Sequence, residues 1–295
     1  MSEDAAGTPS IAPEKRVPRR RISDLQQWWL VTAHQLSHYL RTHRFYGLLG
    51  FVVLISALSL GLQLYAGVAA VRVQQLYRPT EYLSNYLANT GLFVVLSAAF
   101  FGGDALSVDF STGAGYYMLV LPIRRPVLLA GRYAAATLVT LATIGVYYAF
   151  AVFGAAYFFG LTHLPWEILG ISLGVAAVFT LASVSFAFCV SAFVRSPAAG
   201  VLITVLALYV GFSTLQATLE LANVEPWFSL SYAGGSIVAV LDSDFLHYQT
   251  IPLGQDQHYT IWSSTVGEGL AIMAGYLAVL LPLSAFLYQR KESTG

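Results

Sequence analysis

This chain has little cysteine, little charge and none of the usual nucleotide or protease signatures. Its single cysteine, Cys189, excludes an intrachain disulfide and a cysteine-clustered metal site. Inside an apolar run it reads as a small packing residue. Charged residues make up 10% of the 295, against about 25% in a soluble domain. A folded chain of this length with so few charges cannot present all of its surface to water. No GxxxxGK[ST] phosphate loop occurs, nor a GxGxxG after a strand, so nucleotide binding by this chain alone is not expected. HExxH is also missing, which removes the commonest intramembrane metalloprotease motif.

What is present is apolar. Hydrophobic residues account for 57% of the chain, and mean hydropathy is +0.65. Six runs are long enough to cross a hydrocarbon core of about 30 Å. They cover roughly 45–71, 85–106, 126–160, 167–194, 197–221 and 265–288. The fold class expected is an all-α polytopic membrane protein. Residues 1–21 are polar, Pro-containing and basic, and read as a disordered tail. Residues 22–44 read as an amphipathic helix lying on the membrane. Ser23 and Gln26 have capping-box spacing, Ile22, Leu25, Trp29, Leu36 and Leu40 share one face, and Asp24, His34, His38 and Arg41 supply the polar side. His34 and His38 stand one turn apart, but without a third ligand they read as a solvated face.

Orientation follows from the basic residues. Seven Lys and Arg precede the first span, three (Arg124, Arg125, Arg132) lie between spans two and three, one (Arg195) between four and five, and two (Arg290, Lys291) after six. That places thirteen of the fifteen on one side, leaving Arg72 and Arg78 on the other. The positive-inside rule therefore puts both termini, including the tail 289–295, in the cytoplasm of a multi-pass cell-membrane protein.

The long outer loop, 222–264, has no Lys or Arg. Within it Phe228–Leu241 is apolar but too short to cross, and Gly234-Gly235 break it, as in a re-entrant or interfacial segment. Asp242, Asp244, His247, Asp256 and His258 carry oxygen and imidazole groups suited to a divalent cation, yet match no calcium-loop spacing, so a solvated acidic loop is the simpler reading. Glu220 and Glu268, near the outer ends of spans five and six, are candidate pathway residues or solvated helix ends.

The one stretch where carboxylates, glycines, a Leu-Pro step and an arginine pair interrupt the apolar chain is Phe101–Arg132. Phe101-Gly102-Gly103-Asp104 lacks the first glycine of the GxGD motif of intramembrane aspartyl proteases, and no other span holds a core aspartate to share a proton with Asp104. The order Asp104, Asp109, Ser111-Thr112-Gly113 and Leu121-Pro122-Ile123-Arg124-Arg125 resembles instead that of ABC-2 type transporter permeases, the membrane subunits of ABC exporters. Asp109 stands where that family usually has glutamate, and Thr112-Gly113 where it has Gly-Thr. Residues 22–291 are similar to that family in layout.

The resemblance implies a non-catalytic permease forming a homodimer, or a heterodimer with a related permease, over two copies of a soluble ABC ATPase that bind the ATP. It implies a coupling hairpin at about 107–125 with Asp109, Tyr116, Tyr117, Pro122, Arg124 and Arg125 as coupling residues, and the lipid bilayer as the other partner. No cofactor or metal bound by this chain and no nucleic-acid partner are expected. The alternatives are an intramembrane aspartyl protease-like enzyme and a non-transporting membrane scaffold.

Overall fold

The computed structural model describes residues 23–73, 76–108, 124–242, 245–254 and 257–293. It is an all-α, multi-pass membrane protein with six helical segments long and apolar enough to span a bilayer: His43–Gly67, Pro79–Gly102, Arg125–Phe159, Trp166–Phe193, Pro197–Leu221 and Val266–Arg290. The tail 1–21 lies outside the described residues.

Helix α1, Asp24–Arg41, begins where the sequence predicts a cap. Ser23 Oγ accepts from the Gln26 N–H, and Gln26 Oε1 accepts from the Ser23 N–H, both at 3.3 Å. The helix stops at Thr42, which is extended, rather than running to Arg44. Two faces emerge. Tyr39 and Thr32 are buried against the bundle, whereas Leu25, Trp29 and Leu30 are exposed, the arrangement of a helix lying along a membrane surface. Helix α2, His43–Val73, contains the first span and is kinked at Gly67, whose φ of 70° only glycine adopts readily.

Span two is two helices. Helix α3, Pro79–Leu87, starts with proline in its first turn, and Glu81 Oε2 accepts from the Tyr77 and Arg78 N–H groups at 2.7 and 2.9 Å. After a turn at Ala88-Asn89, helix α4 covers Thr90–Gly102. The span thus begins six residues before the expected 85 and stops four before 106. Its first turns carry enough tyrosine and asparagine to hide in a hydropathy window.

Helix α5, Arg125–Phe159, has 35 residues and is about 52 Å long, well beyond the hydrocarbon thickness. Helix α6, Trp166–Phe193, packs against α4 and α5 and against α11, Val266–Ser293, and is largely buried. Span five is α7, Pro197–Val205, then a π-helical stretch over Leu206–Gly211, then α8, Phe212–Leu221. Spans five and six leave broad apolar faces open, with Leu202, Leu206, Val210, Val279 and Phe286 exposed, as lipid-facing helices do.

The core falls into two clusters. Tyr39, Phe101, Leu106, Val184 and Phe188 fill the α1 end. Toward the other end Tyr82, Tyr86, Phe93, Tyr147 and Tyr148 fill the core beside Phe179 and Leu230. Two of the aromatics of span three, Phe153 and Tyr157, are exposed as interfacial anchors are, whereas Tyr147 and Tyr148 are core. A buried phenol needs an acceptor, and each here has one. Tyr147 donates to the Tyr86 carbonyl, Tyr86 to the Ser56 carbonyl at 2.8 Å, and Tyr82 to Gln63 Oε1 at 2.6 Å.

The connection between spans five and six holds the broken apolar segment as α9, Leu230–Gly234, and α10, Ser236–Ala239. It also holds an antiparallel hairpin absent from the sequence-based expectation. Strand β1, Tyr248–Gly254, pairs with β2, Gln257–Trp262, in the register Tyr248↔Trp262 and Thr250↔Thr260.

Candidate functional site: a cavity at three helix breaks and a clamped helix end

Three interruptions of apolar helices meet at one place. They are the Ala88-Asn89 turn of span two, the π-helical stretch of span five, and the Gly234-Gly235 break between α9 and α10. Residues from all three, including Asn89, Tyr209 and Gly235, line a cavity of ≈ 330 Å³ to which Ser213, Gln216 and Ser231 add polar groups. A broken helix in lipid exposes backbone groups that must be lodged in protein or beside a water-filled cavity. Discontinuous helices around a polar cavity are how transporters build binding sites inside the membrane. The volume falls at the lower end of small-molecule pockets, about 300–1,000 Å³.

Glu220 belongs to this region. It is buried, which a solvated helix terminus would not be, and Gln216 Nε2 from the cavity wall donates to its Oε1 at 2.8 Å. Glu268 does not join it. It is the third residue of α11, where its Oε2 accepts from the Thr265 N–H at 2.9 Å and the Thr265 hydroxyl accepts from the Glu268 N–H at 3.3 Å.

At the α1 end, the end of span two is gripped from five helices. Tyr39 of α1 donates to the Phe101 carbonyl at 2.8 Å. Arg44 of α2 pairs with Asp104. Buried Arg132 of α5 donates to the Ala105 carbonyl at 3.0 Å, and Ser191 Oγ of α6 accepts from the Leu106 and Ser107 N–H groups at 3.0 and 3.1 Å. Gly200 of α7 presses its backbone onto Gly103 so closely that an added Cβ would lie 2.1 Å from the Gly103 carbonyl oxygen. These contacts satisfy the carbonyls and N–H groups that a helix end leaves open. Burial pushes the Asp104 carboxyl above its ordinary value, and Arg44 opposes that shift without cancelling it.

Helix α1 is held along its length as well. A Cβ at Gly131 of α5 would lie 2.7 and 2.9 Å from Val31 atoms and 3.3 Å from the Trp28 carbonyl oxygen. At the start of α1, Asp24 Oδ2 receives Arg124 at 2.7 Å. Exposed Arg124 caps α5, and Arg125 begins it. The other predicted coupling residues, Asp109, Tyr116, Tyr117 and Pro122, lie outside the described residues.

Of the acidic loop group, Asp242 is exposed, Asp244 and Asp256 lie outside the described residues, and the His258 side chain is likewise outside them. His247 is placed by the hairpin beside Glu225 and Glu268 rather than beside those aspartates. Glu225 carried no signal in the sequence as a partner for His247, because the two are brought together only by the loop's path.

No family model matches this chain, and no curated protein matches it.

Proposed function

We propose that this chain is the membrane subunit of an ATP-driven exporter of the ABC-2 type, with α1 and both termini on the cytoplasmic side of the cell membrane. The observation that carries the reading is the way the connection between spans two and three is bracketed. Asp104 at its start pairs with Arg44 in the first turn of α2, just past the end of α1, and Arg124 at its finish pairs with Asp24 at the start of α1. A push on that connection would therefore reach the start of α1 and the start of α2, and the clamped end of span two directly. In this reading segment 109–123 docks on a soluble ATPase, two copies of which serve a pair of permease chains. ATP is bound and hydrolysed by the ATPase, and this chain supplies the path.

The mechanical logic is that of a two-state element biased by a ligand. ATP-driven closure of the motor displaces the connection between spans two and three, and α1 moves with it. Span two then shifts against α7 at the Gly103–Gly200 contact. The Ala88-Asn89 turn and the π-helical stretch sit further along the same two spans, so that shift changes the cavity they line. Asn89, Ser213, Gln216 and Ser231 offer a cargo hydrogen bonds there, with Glu220 buried behind Gln216. The aspartyl-protease alternative is disfavoured by the partner of Asp104, a guanidinium, where an aspartyl dyad needs a second carboxylate sharing one proton.

The test is to purify tagged chain from its native membranes and quantify any co-purifying ATPase that carries a phosphate loop. Near-equal stoichiometry is expected for the natural chain. Replacement of 112–123 by a Gly/Ser linker should abolish it while the chain still melts cooperatively. Co-purification that survives the linker would refute the coupling assignment, and absence of any such ATPase would refute the exporter reading.

A further inference from the structure

We infer that Glu225, His247 and Glu268 form a binding site for a first-row divalent transition-metal ion of the zinc type, at the end of the bundle opposite α1. Their ligand atoms, one each, lie within 4.8 Å of one another. Three separate parts of the chain supply them: the loop after α8, the base of the hairpin, and the first turn of α11.

The histidine's geometry separates this from a chance acidic cluster. The Ser263 N–H donates to the His247 carbonyl at 2.9 Å, so the hairpin pairing continues past its strands and fixes the ring's position. Nδ1 lies 3.0 Å from the Ser263 carbonyl oxygen, a partner that can only accept, which makes Nδ1–H the donor and leaves the lone pair on Nε2. That lone pair faces Glu225 Oε1 at 3.7 Å, too far for a hydrogen bond. A metal ion in that gap would satisfy both acceptors at once. A tetrahedral ion with ligands at about 2.1 Å has ligand–ligand edges of about 3.4 Å, near the 3.7 Å between Nε2 and Glu225 Oε1.

The surrounding groups act as a metal site's outer partners do. Tyr232 donates to Glu225 Oε1 at 2.7 Å. The Thr265 N–H orients Glu268. Trp262 stands edge-on to the imidazole, ring centroids 5.7 Å apart. Glu268, the most exposed of the three, has Oε2 3.8 Å from His247 Nδ1, so its carboxylate would have to turn to meet an ion on the Nε2 side. From Ser196 to Gln289 the sequence has no Lys or Arg to compete for the two carboxylates. A nitrogen and two oxygens suit zinc or its neighbours, whereas calcium and magnesium call for oxygen alone. With three protein ligands the ion keeps a position open for water. Bound there, it ties the hairpin and the preceding loop to the start of span six.

The experiment uses full-length chain in lipid nanodiscs, stripped with a chelator, and zinc titration by calorimetry, with Co2+ absorption as a second readout of coordination. One zinc per chain is expected. His247→Gln should weaken binding at least about a hundredfold, and Tyr232→Phe about tenfold. Glu268→Gln, whose amide oxygen still caps α11, should weaken binding without altering the melting temperature in chelator. Millimolar calcium should not compete. Equal zinc affinity in the natural chain and His247→Gln would overturn the site. So would failure of the natural chain to bind zinc, which would leave only an imidazolium ion pair. The titration needs no ATPase, so its outcome is separate from that of the exporter reading.

Discussion

Gly200→Ala tests the packing on which the coupling argument rests. The new Cβ would sit 2.1 Å from the Gly103 carbonyl oxygen and 3.2 Å from the Gly103 carbonyl carbon. Even a favourable carbon–oxygen approach needs about 3.3 Å, so the helices must part by roughly 1 Å. The obstacle is backbone, and it cannot swing aside. Gly103 is tied through its own N–H to the Ala99 carbonyl, and the following turn is tied to Ser191. Overpacking of this kind costs about 1–3 kcal/mol, and a clash with fixed backbone belongs at the upper end. Gly174→Ala is the control. It is also a helical glycine, but its Cβ meets nothing within 4 Å, so it should gain about 0.5–1 kcal/mol from helix propensity. Both glycines are helical, so the propensity gain cancels and the variants should differ by about 2–3 kcal/mol, a gap on the order of 5–10 °C in melting temperature. Tryptophan-fluorescence melting in one detergent measures it. If both variants melt together, the Gly103–Gly200 contact is not the close junction described, and span two is not coupled to span five through it.

The Asp104 carboxyl supplies a pH test with a defined sign. Its folded value is raised above 3.8, so the folded state favours the neutral acid, and the contribution present at low pH is lost as pH rises from about 3.8 through the raised value. Asp104→Asn should flatten that part of the stability–pH profile and Arg44→Met should extend the loss to higher pH, both read by thermal melting across mildly acidic buffers. Gly91, whose Cβ would meet nothing within 4 Å and which lines the cavity, accepts a large side chain. Gly91→Trp should leave melting within a degree or two and abolish cargo-stimulated ATP hydrolysis by the assembled complex; unchanged stimulation would remove the cavity from the path.

Much of this molecule was legible along the chain because a membrane span is a local unit. Each helix must satisfy its own backbone in lipid, so length and hydropathy mark it without reference to its neighbours. The same holds for caps: Ser23 and Gln26, three residues apart, announce α1, and Gly234-Gly235 announce the break between α9 and α10. The hairpin was not read from the chain: its strands are short, and Pro252 interrupts the first. Its short strands lie in a polar loop where the chain can pair with itself in water.

What tertiary structure decided is everything that joins distant spans. Arg44 and Asp104 are 60 residues apart, and Asp24 and Arg124 are 100 apart. No periodicity predicts either pair. Lipid offers little hydrophobic drive between helices, so the choice of neighbour rests on close backbone approach and polar pairing. Those depend on single residues such as Gly131, Gly200 and Ser191, which look ordinary in a hydropathy profile. The sequence by itself determined that the chain crosses a membrane six times, where α1 begins, and on which side its basic residues gather. Only the folded arrangement decided that three helix breaks share one cavity, that the connection between spans two and three is tied to α2 at its start and to α1 at its finish, and that His247 stands between two glutamates. Each of these is a meeting of side chains that the chain brings together only by packing.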